Sequence, residues 1–163
     1  MSKILQLALE LEGFPAIKYK NPLVGNNLNG FDCSGFVQYV LLNSGIGLNY
    51  YIKSNELRHS EEFFDFFGFL VHEPARLPSD LVFFSRKGSR PTHVGIYLGE
   101  DKMIHSPGLE GEKVEITSIK TYCKSIEHLM GSEKNYPQIY FENPIGYKRI
   151  AINNLLERFQ KLS

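Results

Sequence analysis

The chain has 163 residues, 18 basic and 18 acidic side chains, and two cysteines. That length suits one domain with a real core, expected over residues 1–163. Balanced charge argues against a general nucleic-acid binder, and two cysteines make no disulfide framework, although a single Cys33–Cys123 bridge stays open.

The N-terminal apolar stretch is broken by Gln6 and Glu10, and no small-residue cleavage site follows. No run approaches the length of a bilayer span. The expectation is a cytoplasmic chain, or one exported by a non-classical route. Ile4, Leu7, Ala8 and Leu11 share a helical face, which predicts an amphipathic helix over residues 3–12 ended by Gly13 and Pro15. Residues 18–30 hold Pro22, Gly25, Gly30 and four Asn, and read as a loop. A second helix is predicted over residues 33–43, with Asp32 or Ser34 as cap and Phe36, Val37, Val40 and Leu41 as its buried stripe. Ser44-Gly45 stops it. A third helix is predicted from Ser54 to about Phe67, with Phe63, Phe64, Phe66, Phe67 and Phe69 as core.

The second half changes character. Residues 81–84, 94–98, 103–105 and 114–116 are short apolar runs bounded by turn residues, and they predict antiparallel strands. Residues 145–150 predict a last strand and residues 153–161 a terminal helix. Residues 120–142 are polar and tyrosine-rich and fit no element. Helices first and sheet second is an α+β order.

Cys33, in Phe31-Asp32-Cys33-Ser34-Gly35-Phe36, lies at the mouth of the second helix. Unpaired N–H groups and the helix dipole favour a thiolate there, and a nearby imidazolium lowers the pKa further, into the range of roughly 3.5–7.5. The same N–H groups can receive an oxyanion. Cys33 is therefore the candidate nucleophile, against the plainer reading of a buried structural cysteine. Asp32, Ser34 and Gly35 are the candidate substrate-binding residues around it, small side chains leaving room for a carbonyl. Cys123 reads as a small buried hydrophobe or a surface thiol.

His93 opens Thr92-His93-Val94-Gly95-Ile96-Tyr97-Leu98. Strand alternation puts His93, Gly95, Tyr97 and Gly99 on one face and Val94, Ile96 and Leu98 on the other, which should enter the core. Glycine at every second position marks a close approach. His105 follows twelve residues later. A two-residue turn at Glu100 and Asp101 would set His105 opposite Ile96, with the two rings on opposite faces. A three-residue loop would set it opposite Gly95, a diagonal neighbour of His93 at about 7–8 Å. A role for His105 thus predicts an odd loop or a bulge, with Gly99 its natural site. His105 would then accept or share the His93 ring N–H and fix its tautomer. His59, His72 and His128 fit no pattern. No Cys/His set has metal-ligand spacing and no nucleotide-binding glycine loop occurs.

These pieces, with Pro78-Ser79-Asp80-Leu81-Val82-Phe83-Phe84 between them, resemble the NlpC/P60 family of cell-wall cysteine peptidases over roughly residues 10–150. The resemblance implies a papain-like fold, N-terminal helices packed on a mostly antiparallel sheet. It implies Cys33 as nucleophile, His93 as base and His105 as third polar residue. It further implies hydrolysis of an amide in peptidoglycan stem peptides, commonly between γ-D-glutamate and a diamino acid, with no metal or cofactor. Tyr19 corresponds to a family tyrosine that lines the site, though the family's Tyr-x-Trp-Gly-Gly-like segment reads Tyr19-Lys20-Asn21-Pro22-Leu23-Val24-Gly25 here. Ser79 stands where glycine is usual. Many relatives carry a secretion signal and a wall-binding domain, and neither is seen in this sequence. Two other readings stay open: a thiol amidase or acyltransferase of the same fold acting on a small peptide outside the wall, and an inactive binding module.

Overall fold

The computed structural model describes residues 1–21, 23–45, 58–85, 90–123 and 144–149. Helix α1 (Lys3–Glu10) begins at Ser2, whose hydroxyl accepts from the Leu5 N–H at 3.3 Å. Two residue pairs in the segment expected to be loop form a small antiparallel ladder, β1 (Asn26–Asn27) and β2 (Gly30–Phe31). Helix α2 (Cys33–Asn43) has the predicted bounds, Asp32 as its cap, and its predicted stripe fully buried. Helix α3 (Ser60–Phe66) starts later than predicted. Arg58 and His59 precede it in non-helical backbone, because the Glu62 carboxylate reaches back to both their N–H groups, at 2.6 and 2.8 Å. Residues 54–57 lie outside the described residues, as do residues 153–161.

Among the described residues, six strands form one antiparallel sheet: β3 (Phe69–Val71), β4 (Leu81–Phe84), β5 (His93–Gly99), β6 (Lys102–His105), β7 (Glu115–Ser118) and β8 (Gly146–Arg149). Their order is β3-β8-β4-β5-β6-β7. The four predicted apolar runs and the predicted last strand coincide with β4, β5, β6, β7 and β8. Strand β3 has no counterpart among the predicted elements. Phe69, assigned to the core with its aromatic neighbours, lies on that edge strand and is 48% exposed. Phe63 and Phe67 are buried as expected.

Both faces of the sheet are covered. Val94 and Ile96 pack with α1, α2 and α3 through Ala8, Phe36, Val37 and Phe63. The other face holds Val82, Phe84, Tyr97, Met103, Ile119, Cys123 and Tyr147. The histidine face is thus a second core, not a surface. Two covered faces explain why β4 reads as an unbroken Leu-Val-Phe-Phe run with all four residues buried. Among the described residues no helix is long and apolar enough to cross a membrane.

The β5–β6 hairpin combines the two geometries considered for it. Its turn has two residues, Glu100 and Asp101, both left-handed at φ 49° and 61°, with Gly99 paired to Lys102. The register then shifts between Tyr97 and Gly99, so that Tyr97 pairs Met103 and Ile96 pairs Ile104. The extra residue is Leu98, one position before the expected Gly99. That bulge brings His105 beside Gly95, where a Cβ would lie 3.0 Å from the Met103 sulfur and 3.2 Å from the His105 Cβ.

Candidate active site

Cys33 is the first residue of α2, and its position is set by the cap behind it. Asp32 Oδ1 accepts from the Gly35 N–H at 2.8 Å and from the Ser34 hydroxyl at 3.3 Å. The Arg58 guanidinium grips the same carboxylate, with Nη1 at 2.9 Å from Oδ1 and Nη2 against Oδ2. Arg58 also donates to Ser34 Oγ at 3.0 Å and to the Val24 carbonyl at 2.7 Å. Both charged side chains are 1% exposed. Gly35 is buried against the Gly25 backbone, where a Cβ would come within 1.8 Å of the carbonyl oxygen. Its bare backbone serves that packing.

The helix mouth alone does not ionise the thiol. Burial, and then the Asp32 carboxylate, push Cys33 up to about 11, against smaller lowering by the Val94 and Ser34 N–H groups and Arg58. The net shift is upward, because partial burial beside the Asp32 carboxylate disfavours the thiolate. The same contacts locate the sulfur at the backbone of Val94, next to His93.

His93 Nε2 and His105 Nδ1 are 2.9 Å apart, and the rings meet edge to face at 4.9 Å between centroids. Both residues are buried. The pairing depends on the bulge, which leaves the two rings on one face. Ser106, next after His105, donates its hydroxyl to the Phe31 carbonyl at 2.5 Å. This bond ties the strand end that carries the second imidazole to the segment that leads into Cys33.

A cleft of about 410 Å³ opens beside the sulfur. Tyr19, Cys33, Ser34, His59, Pro91 and Thr92 are among its walls. Of the residues singled out in the sequence, Tyr19, Cys33 and Ser34 line it, and Asp32, Gly35, His93 and His105 are not among its walls. The Tyr19 hydroxyl is 3.3 Å from His59 Nε2. His59, which fits no sequence pattern, is thus a cleft residue.

Three other residues escape a reading of the sequence. Arg58 shows no periodicity, and only the fold brings it to Asp32. Tyr122 lies in the stretch that fits no element, yet its ring stacks on His93 at 4.9 Å and 28° and meets His105 edge-on at 5.1 Å. Glu115 pairs with His105 across β6 and β7, its Oε1 at 3.6 Å from His105 Nε2. That imidazole holds the Glu115 carboxyl below its ordinary pKa. The β6–β7 register is the signal that would have found it. Neither cysteine is bridged. Cys123 is buried in the second core, and its thiol is pushed up to about 11 chiefly by that burial.

The model of the NlpC/P60 family matches residues 20–131. The probable peptidoglycan endopeptidase LytE of Bacillus subtilis is 34% identical over 119 residues, 73% of this chain and 30% of that protein. Murein DD-endopeptidase MepH of Escherichia coli is 35% identical over 91 residues, 55% of this chain and 31% of that one. Gamma-DL-glutamyl hydrolase of Bacillus subtilis is 33% identical over 94 residues, 56% and 20% respectively. This chain spans less than a third of the length of each of these relatives. The NlpC/p60 domain of the peptidoglycan hydrolase SagA superposes with a TM-score of 0.57 and 27% identity, covering 74% of this chain and 90% of that one. An NlpC/P60 family protein from Bacillus cereus gives 0.59 and 25%, covering 90% and 39%. Motif order, the helix-mouth cysteine, the strand-borne histidine pair and a family match over most of the chain lead to one assignment: the chain belongs to the NlpC/P60 family.

Proposed function

We propose that this chain is a cysteine peptidase that hydrolyses the amide between γ-D-glutamate and a diamino acid in peptidoglycan stem peptides. The observation that carries the reading is the 2.9 Å imidazole pair beside a thiol at a helix mouth. A base with an orienting partner, next to a nucleophile on an open cleft, is the arrangement acyl transfer requires. Relatives named as peptidoglycan endopeptidases and as a gamma-DL-glutamyl hydrolase support the substrate class.

In this mechanism Cys33 is the nucleophile. Its raised pKa assigns the proton to a base as attack proceeds, and His93 is that base. The sulfur adds to the carbonyl carbon as the thiol proton passes to His93. The Gly35 N–H is already taken by Asp32 and the Ser34 N–H faces the sulfur, so the Cys33 N–H is the helix-mouth donor left for the oxyanion. His93 then returns the proton to the leaving amine. Water, deprotonated by His93, releases the acyl group and restores the thiol. His105 holds His93 in place, and Tyr19 and Ser34 contact the peptide.

Incubation with muropeptides of defined stem composition, followed by mass spectrometry, tests the reading. Release of a fragment that begins at the diamino acid is expected, and Cys33→Ala should lower turnover by about 10³-fold or more without unfolding the protein. Cleavage elsewhere in the stem would overturn the bond assignment. Undiminished turnover by folded Cys33→Ala would overturn the mechanism.

A further inference from the structure

The two ring nitrogens of His105 have different surroundings. Nδ1 faces His93 at 2.9 Å. Nε2 is enclosed and makes no hydrogen bond among the described residues, and it stands 3.6 Å from Glu115 Oε1. Strand register is what aims the carboxylate at it, since His105 and Glu115 are direct partners across β6 and β7. An imidazole N–H buried without an acceptor forfeits its hydration, and here a carboxylate stands within ion-pair range. Glu115 itself is 52% exposed, so one side of the carboxylate meets water and the other meets the ring.

We propose, building on the reading that the histidine pair serves Cys33, that Glu115 is a fourth member of the relay: a positioning residue that keeps the His105 proton on Nε2 and thereby sets the tautomer of His93. One proton lies between His93 Nε2 and His105 Nδ1. With His105 protonated on Nε2, its Nδ1 carries a lone pair and accepts from the His93 Nε2–H. The basic nitrogen of His93 is then Nδ1, which takes the thiol proton. In the opposite tautomer, His105 Nδ1 donates, His93 Nε2 accepts, and His93 Nδ1 already bears a hydrogen. That form has no base. A carboxylate beside His105 Nε2 selects the first form. It also faces the positive charge that reaches the pair when His93 is protonated. The 3.6 Å separation is longer than a formed hydrogen bond. Such contacts tighten when substrate excludes water from a site.

Glu115→Ala and Glu115→Gln in the full chain test the assignment with two readouts. Ring nitrogen NMR of histidine-labelled protein reports the tautomer with no substrate present. The parent should show His105 protonated on Nε2. Glu115→Gln should keep that form, because the amide oxygen still accepts, and Glu115→Ala should show mixed or inverted tautomers. With purified tetrapeptide-stem muropeptides, Glu115→Ala should lose about 10-fold or more in kcat with KM within about twofold, and Glu115→Gln should recover part of the loss. An unchanged tautomer in Glu115→Ala would overturn the proposal. So would equal kinetic losses in the Ala and Gln variants. If the parent cleaves no muropeptide, the enzymatic reading fails while the ring spectra still decide the role of Glu115.

Discussion

Ser79 occupies a left-handed backbone position, φ 84°, just before β4. Its N–H donates to the Tyr97 carbonyl at 2.9 Å, and its hydroxyl lies 2.8 Å from that of Ser2. The turn demands this conformation whatever residue sits there, which accounts for the glycine that the family pattern leads one to expect. A side chain costs about 1 kcal/mol in that region. Ser79→Gly should therefore raise the urea midpoint, by about 0.5–1 kcal/mol of stability, since the exposed Ser2 contact is worth less. A lowered midpoint would show that the contact outweighs the strain. Cys33 makes a sharper case. Its thiol is raised to about 11, so at pH 7 it stays protonated and depends on a base to react. In His93→Ala, iodoacetamide should label Cys33 slowly at pH 7, the rate rising ~10-fold per pH unit toward its pKa. Labelling of the parent at pH 7 should exceed that of the variant at least ~10-fold. Equal rates, read by peptide mass spectrometry, would remove His93 from thiol activation.

At the scale of elements, α2 begins on a buried charge. Its cap holds a buried ion pair whose partner arrives from just before α3. Removing one member strands the other charge where water does not reach. Arg58→Met should cost about 3–5 kcal/mol, measured by denaturant unfolding. Asp32→Asn added to it should recover part of that loss, because no buried carboxylate then remains uncompensated. A double variant as unstable as the single one would locate the cost in packing. The bounds of α2 were legible because an Asp before Cys-Ser-Gly and a four-residue apolar stripe are local signals. The start of α3 was not. It is set by Glu62 reaching back to Arg58 and His59, and by Arg58 turning inward to Asp32. In the β5–β6 hairpin, alternation correctly paired His93 with Gly95 on one face. The bulge at Leu98 could be stated only as a requirement, since several turn geometries fit Gly99-Glu100-Asp101.

At the scale of the whole molecule, the sheet brings distant segments together. Strand β8, from the far end of the described chain, inserts between β3 and β4. Arg149 clamps it there with a bidentate bond to Asp80, at 2.8 and 2.9 Å. The strands that carry the histidines are therefore interior, and the α helices cover one face while Tyr97, Tyr122 and Tyr147 help close the other. The histidine face reads as bare from β5 alone, because the side chains that cover it come from elsewhere in the chain.

Local order and spacing alone determined the α+β plan, the helix that presents Cys33 and the strands that carry His93 and His105. Those features depend on periodicities and caps that a few adjacent residues specify. Only the tertiary structure decided that the thiol is partly buried and raised, that Asp32 is occupied by Arg58, and that Tyr122 and Glu115 stand at the imidazole pair. Each of these joins residues 10 or more positions apart in the chain or depends on burial. Desolvation and cross-strand register are properties of the assembled molecule, absent from any short stretch of it.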